Sequence, residues 1–413
     1  MTRTYIKNAT IIYPEHKLHN KVVNLLVNNS LIESINPNNP NTFDHEIDAK
    51  NMLLFPGLVD IQCFSGEPGN EDREDFESLT RAAKSGGFSD LFIMPDTSPT
   101  IETKSSVRYI EHASGKNGIR LHAIGAVSKN LKGEELSEMY DMHLSGAKAF
   151  SDAKRPIGDV NMMKRALDYV KSFNGIVYSF PLDERVSPGG MVNESPLNTA
   201  LGLKSTPKLA EELLLNRDIY LLNYCESRMH VSSISSEDSI SLIETAKQKG
   251  LDISCSVALS HLLFSENQLN TFNTNYKTNP PLRSESDRQA LIEGLKSGTI
   301  DIIHSDHSPE VIEDKDVEFD QAKHGMTMLE TALAAYNTNL KDQLSFEAFI
   351  NAFSINPRKR FDMAMPELEA GSDFNFALFD PSKEWVYDAE SAQSKSTNSP
   401  FLNQTLKGKV IEV

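Results

Sequence analysis

From residue 53 onward the chain repeats one rhythm: a short apolar run, a polar turn, then in most intervals a helical segment before the next run. The runs are Leu53–Ile61, Asp90–Met94, Leu121–Ala126, Ala147–Phe150, Gly175–Ser179, Ile219–Tyr224, Ile253–Val257 and Ile300–His304, eight in all. Residues 75–85, 161–173, 236–250 and 287–298 carry apolar side chains at every third or fourth position, the spacing of helices that bury one stripe. Lys249-Gly250 and Ser297-Gly298 supply helix stops. Eight strands alternating with helices predict an α/β fold, a closed parallel (β/α)8 barrel with function on the loops that follow the strands. An open doubly wound sheet would need a Gly-rich phosphate turn after its first strand, and Gly66-x-x-Gly69 is a poor version of one.

The two ends differ from this middle. Tyr5-Ile6, Ala9–Tyr13, Val22–Val27 and Leu31–Ile35 are β-type runs broken by Asn pairs, the pattern of a small antiparallel sheet. Pro37–Asn41 is a loop by composition. Phe374–Phe379 and Lys407–Val413 return to β character. The expected organisation is a small β-sandwich from residues 1–52 plus 364–413 beside a barrel of residues 53–363. With 41 Lys+Arg against 58 Asp+Glu, the net charge is −17. Such a surface repels phosphate backbones and anionic lipid, which argues against nucleic-acid and membrane roles. Cys63, Cys225 and Cys255 lie far apart and form neither a disulfide framework nor a CxxC zinc site. With no apolar signal core and no run of bilayer length, the expected location is the cytoplasm.

Several motifs then carry a resemblance. Gly57-Leu-Val-Asp-Ile, Glu67-Pro-Gly, Arg81-Ala-Ala-Lys-Ser-Gly-Gly-Phe, Met94-Pro-Asp-Thr-Ser-Pro, Gly189-Gly-Met-Val-Asn-Glu194 and His230-Val-Ser resemble dihydroorotase of the amidohydrolase superfamily. So do Asn279-Pro-Pro-Leu-Arg283, Ala290–Asp301, Ser305-Asp-His and Phe379-Asp-Pro-Ser-Lys-Glu-Trp385, in the family's order and spacing. The resemblance implies a TIM-like barrel with a flanking β-sandwich, usually dimeric. It also implies an ancestral reaction, the reversible ring closure of N-carbamoyl-aspartate to dihydroorotate in pyrimidine synthesis. That chemistry needs two zinc ions bridged by hydroxide, held by imidazoles and a bridging acid, with an aspartate moving protons.

Residue by residue, the same resemblance implies losses. The family's His-x-His after the first strand falls on Gln62 and Phe64; its ligand after the fifth strand falls on about Phe180. The bridging acid becomes Ala153 next to Asp152, the carboxylate-binding Arg becomes Gly66, and the Asn of Met-Pro-Asn becomes Asp96. Retained are His230 after strand six, Asp306 at the proton-transfer position, and Asn279 and His307 on the substrate side; Glu310 stands where a further His is common. The preferred expectation is a pseudoenzyme without cofactor, with Asp306 idle and His230 and Asp306 holding the barrel mouth together. By resemblance its partners are a second copy of itself and aspartate carbamoyltransferase. The alternative is an active cyclic-amide hydrolase with one zinc rebuilt on His230, His304 and Asp306. A ligand-binding sensor using the old pocket is a third possibility.

Other candidates read as ordinary. Cys63 with His307 as base could form a nucleophile, but a lone Cys after an apolar strand is more often a small buried hydrophobe. His122, His143, His261 and His324 lack acidic or His partners at ligand spacing. Asp72, Glu74 and Asp75 with Arg73 suggest a solvated helix start.

Overall fold

Alternating β-branched and aromatic residues at both ends of the chain meet in one sheet. In this computed structural model, which describes residues 2–37, 40 and 42–413, β1 (Arg3–Ile11) pairs antiparallel with β2 (Val22–Asn28), and β2 with β3 (Leu31–Ile35). Asn38, Asn39 and Asn41 of the expected Pro37–Asn41 loop lie outside the described residues. The sheet is mixed, not purely antiparallel, because β4 (His45–Asp48) and β5 (Leu53–Pro56) pair with β1 in parallel. β16 (Phe376–Tyr387) and β17 (Gln404–Ile411) close it from the far end of the chain, β16 lying against β5. Ile6, Ile11, Leu25, Leu54 and Leu378 form its core.

The expected strand Leu53–Ile61 is therefore two strands. Leu53–Pro56 belongs to the terminal sheet, and β6 (Leu58–Cys63) begins the barrel. Gly57 makes the break: a Cβ there would come within 2.7 Å of the Ser89 side chain. The other barrel strands are β7 (Phe88–Ile93), β8 (Arg120–Gly125), β9 (Ala149–Phe150), β10 (Val177–Ser179), β13 (Arg228–Val231), β14 (Asp252–Ala258) and β15 (Ile302–His304); β11 (Val192–Asn193) and β12 (Ser205–Thr206) pair in an excursion. Neighbouring barrel strands run parallel in chain order. The seam between β15 and β6 is stitched by side chains: Asp60 accepts the Ser305 backbone N–H at 2.9 Å and the Ser305 hydroxyl. Val59, Ile61, Phe92, Ile124, Ile176, Tyr178 and Ile302 fill the interior, and Phe361 joins them.

Helices cover the outside: α1 (Phe76–Ser85), α2 (Lys104–Ala113), α3 (Met139–Leu144), α4 (Val160–Lys171), α5 (Pro196–Leu201), α6 (Leu209–Cys225), α7 (Glu237–Gln248), α8 (Leu259–Leu263) and α9 (Glu285–Ser297). Asp75 caps α1, its side chain accepting the Ser78 N–H at 2.8 Å while Ser78 answers the cap backbone. Ile219–Tyr224 is helical, part of α6, and the sixth strand is β13. The two glutamates at 211 and 212 and the leucines around them favour a helix that continues through the β-type residues. Among the described residues no helix is long and apolar enough to cross a membrane.

Candidate functional site

The mouth of the barrel is shaped first by backbone. Pairing of β6 with β7 slips between Asp60 and Cys63. Val59 and Ile61 face the interior, so strict alternation would point Cys63 inward; the irregularity reverses the parity. Gln62 and Phe64 thus enter the mouth, while Cys63 turns into the shell beneath the helices, fully buried, its thiol pushed up by desolvation. Just beyond the ends of β9, β13 and β15, Ala153 (φ 56°), Ser233 (φ 56°) and Asp306 (φ 55°) are left-handed. Non-glycine residues in this region cost about 1–3 kcal/mol each and cluster where a site needs side chains re-aimed.

One polar chain runs across the floor of the mouth. Lys154 Nζ donates to Asp306 Oδ2 at 2.7 Å, and Gln62 Nε2 donates to Asp306 Oδ1 at 2.9 Å. The same Gln62 amide donates to Ser233 Oγ at 3.0 Å, which lies 3.2 Å from His304 Nε2. Burial pulls the His304 pKa down to about 3, so its ring is neutral and Nε2 can accept from the serine. Phe64 fills the space beside this chain, with the Lys154 ammonium 5.1 Å from its ring centre. Gln62, Phe64 and Asp306 have almost no exposed surface.

His230 stands elsewhere. Strand parity sends it into a deeper layer, packed at steep ring angles against Tyr178 and Phe361, with Nδ1 2.8 Å from Ser254 Oγ and Nε2 3.0 Å from Ser256 Oγ. Desolvation holds its pKa well below the ordinary imidazole value. The strand-six side chain that reaches the mouth is Ser233, three residues on, and the expected grouping of His230 with His304 and Asp306 is not assembled. Among the described residues no cluster of three or more His, Cys, Asp or Glu side chains is placed to hold a metal ion.

The remaining expected positions scatter. Phe180 packs with Leu182 and Ala210. Asp152 is buried as a loop clamp, accepting the Val127 and Ser128 N–H groups at 2.9 Å each. Gly66 has no room for a side chain: a Cβ would come within 2.0 Å of Asn70 O and 2.4 Å of Glu74 O. Asp96 is exposed just past the end of β7. Asn279 is half-buried. His307 is wholly buried, Nδ1 accepting the Met328 N–H at 3.3 Å with the ring 3.5 Å from Glu74, so it does not face the mouth. Glu310 bonds Arg73 at 2.5 Å.

Two ordinary readings need correction. Glu74 is not solvated: it is fully buried, accepting the Ser78 and Ser394 hydroxyls. His122 does have an acidic partner, Asp90 on the neighbouring strand, at 2.8 Å. Asp90 also takes Arg120 and buried Arg358, and these partners outweigh burial to hold its carboxyl far below the usual range. Sequence spacing could not show that contact, because the partners lie on different strands. Lys154 and Ser233 were missed for a related reason: each owes its position to a left-handed residue that parity does not foresee. The usable signal was Lys154 following Ala153, the position where the resemblance implies a bridging acid.

Comparison with known proteins agrees with the fold. A family model described as dihydro-orotase-like matches residues 51–239. A dihydroorotase of Acetivibrio thermocellus is 37% identical over 408 residues, covering 98% of this chain and 96% of that protein. One of Aquifex aeolicus is 35% identical over 414 residues, covering 100% and 97%. Among solved structures, the L-hydantoinase (dihydropyrimidinase) of Arthrobacter aurescens superposes with a TM-score of 0.82 at 22% identity, over 99% of this chain and 94% of that one, a likeness of fold.

Proposed function

This chain belongs to the dihydroorotase family, and we propose that it serves pyrimidine biosynthesis as a folded, non-catalytic partner of a working enzyme. The observation that carries the reading is the state of Asp306. A carboxylate that moves protons must be free to take one up, yet here it is locked between the Lys154 ammonium and the Gln62 amide. The residues of the mouth do not fit a pair of zinc ions. A cation at Asp306 would face the lysine's like charge, Phe64 offers an apolar ring where a donor is needed, and Ala153 and Ser233 offer no imidazole or carboxylate. The single-zinc alternative is no better supplied, since both His230 nitrogens are engaged by serines. Lys154 stands in for metal charge in one respect only: it neutralises Asp306.

A partner role fits a family member that keeps the barrel while its mouth is filled. Aspartate carbamoyltransferase from the same cell is the partner we propose, on family resemblance. The test is co-purification of the intact chain with that enzyme, together with the enzyme's activity in its presence and absence. Co-elution with a changed carbamoyltransferase rate is expected. Separate elution with no effect on the rate overturns the partner assignment, and turnover of dihydroorotate by the chain alone overturns the non-catalytic reading.

A further inference from the structure

The connection between β16 and β17 is far longer than their pairing needs. The strands are antiparallel neighbours whose pairing ends with Tyr387 opposite Gln404, and a hairpin joins such ends with about two to five residues. Here residues 388–403 leave the terminal sheet, cross the barrel seam and return. The stretch 388–399 reads Asp-Ala-Glu-Ser-Ala-Gln-Ser-Lys-Ser-Thr-Asn-Ser, with Ala389 and Ala392 as its whole apolar content. A segment of that composition cannot bury enough apolar surface to order itself. Ser394, Ser396, Asn398 and Ser399 are nevertheless buried, so hydrogen bonds to the barrel hold the segment in place.

Those bonds go to both sides of the seam. On the β6 side, the Ser394 hydroxyl and the Lys395 N–H (3.2 Å) donate to Glu74, and the Ser396 hydroxyl donates to the Arg73 carbonyl at 2.7 Å. On the β15 side, Asn398 Nδ2 donates to the Ser308 carbonyl at 3.0 Å, and Asn398 Oδ1 accepts the Glu310 N–H at 3.1 Å. These partners lie on the two loops that begin with Phe64 and with Asp306, residues of the mouth. The segment is therefore a second tie across the seam, outside the strands themselves. The fit around it is incomplete. Beside these contacts His307 Nε2 and Glu310 Oε2 are buried without a hydrogen-bond partner among the described residues. Opening the segment hydrates such groups and trades its own bonds for bonds to water, with little apolar area exposed. The cost is small beside that of unfolding a barrel strand.

We propose that residues 388–399 form a latch across the barrel seam that opens as one unit without global unfolding. Its opening frees the loops led by Phe64 and Asp306 and admits water and small solutes to the mouth. The latch governs access, whatever the mouth does once reached, so it stands whether or not the non-catalytic reading holds.

Native-state amide exchange on the intact chain, read by mass spectrometry, tests it through two variants that cut opposite ends. Ser396→Ala removes a bond from the β6 side only, and Asn398→Ala removes bonds from the β15 side only. In the wild type, residues 66–75, 307–310 and 388–399 are expected to exchange at least ~100-fold faster than β8 and β13. Each variant should quicken all three segments by one common factor, about ten-fold for Asn398→Ala and less for Ser396→Ala. Loops merely packed against the segment would respond only on the side that was cut. Labelling of the thiol in Ser233→Cys, at a mouth position only 2% exposed, should accelerate by that same factor, while buried Cys255 on β14 stays unreactive. If Asn398→Ala does not fold, Ser396→Ala poses the same question from the other side. Segments that exchange no faster than the barrel strands, exchange that quickens on one side alone, or an unchanged labelling rate in Ser233→Cys overturns the latch.

Discussion

Lys154→Met would leave the Asp306 carboxylate buried with only the Gln62 amide for company. Stripping one partner from a buried ion pair costs about 3–5 kcal/mol, and the variant is expected to lose that much in urea unfolding. Lys154→Met/Asp306→Asn should recover most of it, since no unpaired charge remains; a double variant as unstable as the single would mean that the pair is not what holds the mouth. The buried histidines set the acid side. His304 titrates near 3 in the fold and His261 near 4, both pulled down by burial from 6.5. Below pH 6.5 the unfolded chain takes up protons that the folded one refuses, so each histidine removes up to about 1.4 kcal/mol of stability per pH unit on acidification. Asp60 works the other way. Its carboxyl is pushed up to about 6 by burial from 3.8, so it restores stability as pH falls between those values. The His304 share of the urea-unfolding free energy should therefore fall from pH 6 to 4, and His304→Asn should flatten the free-energy slope there by up to about 1.4 kcal/mol per pH unit; an unchanged slope would remove His304 from the account.

At the scale of the element, a buried carboxylate reinforces the barrel seam, which the Phe64 N–H also crosses to the His307 carbonyl at 2.9 Å. Asp60 on β6 is answered across the seam by the backbone N–H and hydroxyl of Ser305 just past β15. Ser305→Ala removes one of those donors from a buried acceptor, an expected loss of about 1–3 kcal/mol. Amide hydrogen exchange in residues 302–307 should quicken; exchange no faster than wild type would place the closure elsewhere. These elements were unequally legible in the sequence. The barrel was readable because apolar strands and amphipathic helices differ in period, and α1 because Asp75 is an effective cap. Ile219–Tyr224 misled because β-type residues sit inside a longer helix, so local composition disagreed with the neighbouring glutamates and leucines. The mouth was legible in what it contains, Gln62, Phe64 and Asp306, but not in how it is joined. A slipped pairing at Asp60–Cys63 and left-handed backbone at Ala153 and Ser233 decide which side chains face the mouth; the resemblance set His230 there, whereas the structure puts it in a deeper layer and brings Ser233 to the mouth.

Over the whole molecule, the likeness to the dihydroorotase family runs along nearly the full chain, 98% of it against one relative, and the barrel mouth is occupied by this chain's own polar network. Left-handed residues at Ala153, Ser233 and Asp306 aim side chains that form a lysine–carboxylate–amide–serine–imidazole chain beside a phenylalanine. The most direct measurement is zinc content and turnover on one preparation of the intact protein, purified without chelator, with N-carbamoyl-aspartate and dihydroorotate as substrates. Well under one zinc per chain and no conversion above the blank in either direction is the predicted result. Close to two zinc ions per chain together with conversion of carbamoyl-aspartate would contradict it.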